Sequence, residues 1–213
     1  VDHLPIVPGI PTPRDFLGYH VGAPRILTYY EKQLAYYRAL AAATPRVRVE
    51  TIGRSDEGRE LVVVWIASEA NFARLEQNKK NLAKIADPRG LSAADNKTLL
   101  ADTTPHSHLM GGLHSGETGP SEMLMELAYR LATETSPIVS QIRDQLYVSI
   151  TPAADADGRD RNVDWFLRNQ ELFAARPGDT TSAGRAPAGA VPYWGKYVYH
   201  DNNRDINIKL VQM

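Results

Sequence analysis

Two side chains whose types and spacing could do chemistry together stand at His114 and Glu117, in the run Gly111-Gly112-Leu113-His114-Ser115-Gly116-Glu117. An imidazole and a carboxylate three residues apart, just where an apolar stretch ends, can point at one ion. Zinc takes nitrogen and oxygen donors of this kind in a tetrahedral set, and its catalytic sites keep one position open for water. A His-x-x-Glu pair followed by a distant His would complete such a set. The same pair also has a purely structural reading, as a surface His and a first-turn helix Glu satisfied by the macrodipole.

Other groups widen or narrow the choice. His106 and His108 alternate on one predicted strand and share a face, which permits a metal role or a polar strand end. His200 stands immediately before Asp201-Asn202-Asn203-Arg204. Cysteine is absent, which excludes a disulfide framework, a Cys-type zinc site and a thiol nucleophile. Lys and Arg total 24 against 25 for Asp and Glu, so no net field points to a nucleic-acid or anionic-membrane partner.

The elements that must position these groups follow from pattern. At 213 residues and 43% hydrophobic, the chain can bury one sizeable core. Pro5, Pro8, Pro11 and Pro13 make residues 1–27 an N-terminal extended arm lying on the domain. Leu27, Tyr30, Leu34, Tyr37 and Ala41 recur at helical spacing from Thr28, the predicted N-cap, to Ala43. Val47 and Val49 alternate with charges, Asp56-Glu57-Gly58 signals a turn, and Leu61 to Ala67 reads as a strand buried on both faces.

A single amphipathic helix is predicted from Asn71 to Ile85, ended by Asp87-Pro88. His106 to Leu113 forms a short strand, and a helix with Leu124, Leu127, Ala128 and Leu131 on one face follows the Glu117 region. Ser136-Pro137 starts another helix, Leu146 to Ile150 is a further strand, and the stretch up to Tyr197 reads mostly as loop. Tyr193, Trp194 and Tyr197 in that stretch, with Tyr199 just after it, suit packing or a pocket wall. No internal repeat is present.

Four segments in order resemble the M14 family of zinc metallocarboxypeptidases: Ile52–Arg59 its early hairpin, Gly111–Glu122 its zinc-ligand motif, Thr151–Gly158 its Asn-Pro-Asp-Gly turn, and Asp201–Asp205 its substrate-binding Asn-Arg pair. The resemblance spans about Tyr29 to Lys209 and implies an α/β fold, a mixed central β-sheet flanked by helices. It makes His114 and Glu117 the first two ligands of Zn2+. It gives Asn203 and Arg204 the terminal carboxylate of a peptide substrate, a task suited to the planar fork of a guanidinium. It also calls for an oxyanion-stabilising arginine past the Asp-Gly turn. Arg168 is the candidate, with Arg159, Arg161 and Arg176 as competitors.

In that family the third ligand and the general-base glutamate follow the Asn-Arg pair, whereas residues 205–213 contain neither His nor Glu. His200, which precedes the pair, is then expected to order the site from behind the ligands. The expectation is a metallocarboxypeptidase-like domain over 28–213 with its C-terminal part absent, inactive by itself and prone to self-association through a truncated sheet edge. The function implied is hydrolysis of C-terminal peptide bonds. The alternatives are a zinc amidase or endopeptidase on cell-wall peptides or N-acyl amino acids, and a silent module that binds peptide termini. The first residue is Val1 and no apolar run approaches the roughly 20 residues of a membrane span, so a secreted or periplasmic protein whose signal has been removed is expected.

Overall fold

A hairpin begins the sheet. Strands β1 (Val47–Arg54) and β2 (Glu60–Ile66) pair antiparallel, with Val47 opposite Ile66 and Val49 opposite Val64. The tight turn between them closes through Gly58 N donating to Ser55 O at 2.9 Å, and Gly58 takes φ +84°, where a glycine meets no Cβ penalty. In the computed structural model of the chain, residues 4–174 and Asn203 are described. Two further strands, β3 (His106–Met110) and β4 (Tyr147–Thr151), complete a sheet ordered β1-β2-β4-β3. β4 runs antiparallel to β2 and parallel to β3, so the sheet is mixed as expected.

A parallel pair needs a crossover connection. Here it is α6 (Thr118–Thr133) followed by α7 (Pro137–Gln145), and α2 (Tyr30–Ala43) shares the core with them. Val62, Val64, Ile66 and Ile150 are at most 1% exposed and meet Tyr37, Leu40, Leu124, Met125 and Ala128. Each such side chain contributes about 1.5–3 kcal/mol over leaving it in water. β2 is buried on this face only, because Leu61, Val63 and Trp65 alternate with the buried set and stay half-buried. That corrects the expectation of a strand covered equally on both sides. The second face carries Trp65, Tyr147, Phe72 and Leu75, covered in part by α3 (Glu69–Ala73) and α4 (Leu75–Ala86).

Several elements differ from the sequence reading. The helix expected from Asn71 to Ile85 is broken at Arg74 into α3 and α4. The arm contains a short helix, α1 (Pro13–Leu17), because Thr12 and Asp15 close a reciprocal capping box with Pro13 in the first turn. α5 (Ala93–Asp102) starts at the Ser92 cap and buries none of its residues, so it left no apolar period to read. Thr28 is not the N-cap of α2; Tyr29 holds that position, and Tyr30 N donates at 2.8 Å to Asp160 Oδ1. The largest correction is α8 (Ala156–Ala174), a helix of 19 residues where loop was expected.

Candidate metal centre

The loop after β3 is anchored before it reaches His114. Gly111 N donates to Thr151 O at 2.9 Å, Ala154 N to Gly111 O at 2.9 Å, and Asp155 N to Gly112 O at 3.0 Å. Glycine is required at both positions, since a Cβ on Gly111 would stand 2.7 Å from Pro152 O and Gly112 has φ +57°. From this fixed base the chain turns, with Glu117 N donating to His114 O at 3.0 Å. The turn brings His114 Nδ1 to 3.1 Å from Glu117 Oε1.

Glu117 is the residue before α6, yet its carboxylate caps no amide of that helix. It faces the imidazole instead. The side chains are 22% and 57% exposed, so an ion or substrate can reach them. A tetrahedron with metal–donor bonds of about 2.1 Å has edges of about 3.4 Å, and the observed separation is close to that. The donor set and spacing therefore fit two corners of a zinc site. Among the described residues no group of three or more His, Asp or Glu could hold a metal.

The hairpin and the Thr151–Gly158 segment converge on this loop. Ser55 Oγ donates to Asp157 Oδ1 at 2.6 Å and Glu57 N to Asp157 Oδ2 at 3.0 Å. Arg59 reaches Asp157 Oδ1 at 2.7 Å and Asp160 Oδ2 at 2.9 Å. The hairpin tip is thus bolted to the turn that holds Gly111 and Gly112. Within that turn Asp155 takes Gly158 N on Oδ1 at 2.9 Å, while Oδ2 is buried without a hydrogen-bond partner among the described residues. Burial pushes the Asp155 carboxyl up to about 6. Nothing local in the sequence marks this acid's setting, which depends on the Gly111–Gly112 loop, far earlier in the chain, accepting the Ala154 and Asp155 amides.

His106 and His108 do share a face, and both turn to one hydroxyl: His106 Nε2 and His108 Nδ1 lie 2.6 and 2.7 Å from Ser149 Oγ. The His106 ring also packs on Trp65, with centroids 5.0 Å apart. They form a polar strand surface. Of the arginines, Arg159 is 1% exposed and paired with Glu122, and Arg161 pairs with Glu57. Arg168 is exposed on α8, its Nε donating to Asp164 O at 3.2 Å, beside an open depression of about 390 Å³ shared with Arg161, Asp164, Trp165 and Asn169. Asn203 is half-buried; Arg204, His200, Arg176 and the tyrosines from Tyr193 onward lie outside the described residues.

No curated protein sequence matches the chain. Solved structures similar to it include carboxypeptidase A from Helicoverpa armigera, at 21% identity and TM-score 0.44, covering 63% of this chain and 26% of that one. Thrombin activatable fibrinolysis inhibitor is similar at 12% identity and TM-score 0.47, over 71% and 34% of the two chains. A metallo-carboxypeptidase from Burkholderia cenocepacia is similar at 16% identity and TM-score 0.42, over 70% and 37%. The chain therefore spans 26% to 37% of the length of these proteins. Residues 33–178 match the zinc carboxypeptidase family, a stretch that takes in the hairpin, the His114–Glu117 loop and the Asp155–Gly158 turn. With that match over more than half of its length, the chain belongs to the zinc carboxypeptidase family.

Proposed function

We propose that this chain carries the first part of a metallocarboxypeptidase that removes C-terminal residues from peptides, with His114 and Glu117 holding zinc. The observation that carries the reading is the 3.1 Å approach of His114 Nδ1 to Glu117 Oε1 on a loop fixed by backbone bonds. Zinc, when bound there, would supply a Lewis acid and a water of lowered pKa. The protein's own groups would do the rest. Arg204 would clamp the substrate's terminal carboxylate through two parallel N–H donors, with Asn203 beside it, which selects a free C-terminus over an internal bond. Arg168 would present a fixed cation to the oxygen on which negative charge develops. Two protein ligands do not complete a catalytic zinc set, and hydrolysis needs a third ligand and a general base besides. The family's frequent export supports a secreted or periplasmic place; among the described residues no helix is long and apolar enough to cross a membrane.

The test is zinc content and zinc affinity of the whole protein against His114→Ala and Glu117→Ala, together with hydrolysis of paired peptides carrying a free or an amidated C-terminus. The expected result is at least a hundredfold loss of zinc affinity in either variant and cleavage of the free-carboxylate peptide alone. Equal metal in wild type and His114→Ala would remove the metal reading, and equal cleavage of both peptides would remove the carboxypeptidase one.

A further inference from the structure

Glu117 is placed by the first turn of α6, because Thr118, its neighbour, is the first residue of that helix. No side chain caps this turn in the ordinary way. It is held instead by a buried ion pair. Glu122, 5% exposed, and Arg159, 1% exposed, meet between α6 and α8. Arg159 Nη1 also reaches Thr118 O at 3.4 Å, while its Nε and Nη2 donate to Thr28 O at 3.1 and 2.9 Å. Glu122 returns the grip, accepting from Thr28 N and Thr28 Oγ1 at 2.7 Å each. One station of the chain just before α2 is thus held at its amide, carbonyl and hydroxyl by a pair that also touches the backbone beside Glu117.

Stability alone does not account for such a pair, since well-packed apolar residues in place of a buried salt bridge are often neutral or stabilising. What the pair supplies is a single arrangement of three segments. The forked guanidinium can meet acceptors in three directions at once, which an ammonium cannot do. We infer that Arg159 is a positioning residue for the metal carboxylate: through Glu122 and the Thr118 carbonyl it sets the direction from which Glu117 meets His114. This rests on the zinc reading given above. It also couples the Thr28 segment to the metal centre, so that loosening one loosens the other.

The test uses the whole protein, the apolar double variant Glu122→Leu/Arg159→Leu, and Arg159→Lys. Zinc dissociation constants by chelator competition, visible spectra of the cobalt-loaded proteins and melting midpoints of the metal-free proteins are read for each. The double variant should melt within a few degrees of wild type yet bind zinc at least tenfold more weakly, with altered cobalt bands. Arg159→Lys should move both metal readouts the same way by a smaller factor, and it carries the test where the double variant lacks a cooperative melt. Leu40→Ala, a core truncation in α2, is the comparison for general destabilisation. Wild-type zinc affinity in both Arg159 variants overturns the inference, as does an equal affinity loss in Leu40→Ala at an equal drop in midpoint. Wild-type affinity in His114→Ala would instead show that the zinc reading itself is at fault.

Discussion

A Cβ built on Gly112 would stand 2.8 Å from Ser121 Oγ, so the loop that leads to His114 lies against α6 with no room for any side chain. Gly111 is tighter still against rigid partners, with Pro152 O at 2.7 Å and Ser121 N at 3.1 Å. Gly116, between the two candidate ligands, has nothing within 4 Å. Gly111→Ala should therefore cost about 3 kcal/mol, as overpacking against backbone does. Gly112→Ala should cost about 2 kcal/mol from its left-handed φ and the displaced serine. Gly116→Ala should stay within about 0.5 kcal/mol. Urea midpoints of the metal-free proteins decide this, and a Gly111→Ala as stable as Gly116→Ala would refute the close-approach account.

Asp155 gives a pH dependence whose sign can be worked out. Burial holds its carboxyl up to about 6 in the fold, while an unfolded aspartate ionises near about 3.9. The folded state binds the proton more tightly, so stability falls as pH rises from about 4 through 6 and the penalty is complete above that. The penalty is on the order of 2 kcal/mol, allowing for the part of the group that reaches solvent. Asp155→Asn keeps the acceptor for Gly158 N and carries no charge. Its stability advantage over wild type should be near zero at pH 4 and on the order of 2 kcal/mol at pH 7. Chemical unfolding of the metal-free proteins at both pH values measures it, and an advantage that is flat or grows toward acid would contradict the assignment.

These two sites mark where sequence could and could not be read. The hairpin, β4 and the helices α2 and α6 follow from apolar pattern because each buries an apolar face, and α7 follows from its Ser136-Pro137 start. α8 does not, since its buried residues include Asp157, Arg159 and Asn162. A helix docked by charges and amides looks like a polar loop until its partners Ser55, Glu57, Thr28 and Glu122 are brought to it from far along the chain. The same holds for the cap of α2, which comes from Asp160. In α1, by contrast, the Thr12-Pro13-Arg14-Asp15 run was a local capping signal hidden among prolines. At the site, three-residue spacing after a strand was enough to place His114 beside Glu117, whereas the buried environment of Asp155 arises only when two distant turns close on each other.

The arm gives a third prediction. Tyr129 Oη donates to Pro5 O at 2.6 Å and accepts from Val7 N at 3.4 Å, and Leu4, Ile10, Leu17 and Val21 pack against the main core. A phenolic hydroxyl that serves two backbone groups of one segment is its main polar anchor. Tyr129→Phe should cost about 1 kcal/mol, the usual worth of such bonds, with little change to the core. It should also raise amide exchange in residues 4–10 selectively. Unchanged exchange there, with the same global loss, would mean that the apolar contacts alone hold the arm.

β3 supplies the last prediction, which concerns the 213 residues taken alone. β4 pairs with one edge of β3, and among the described residues no strand pairs with the other. His106, Ser107, His108 and Met110 of this strand are exposed, Met110 at 47%. An open edge of this kind offers its amides and carbonyls to another chain, and a charged side chain on it is a common means of blocking that. Burial and the neighbouring His108 hold the His106 pKa below the ordinary imidazole range, so that ring adds no charge to the edge at neutral pH and gains one only in acid. Light scattering at pH 7 should show a mass that rises with concentration. The rise should be smaller for Met110→Lys. A monodisperse monomer at all concentrations would show that this edge does not drive association.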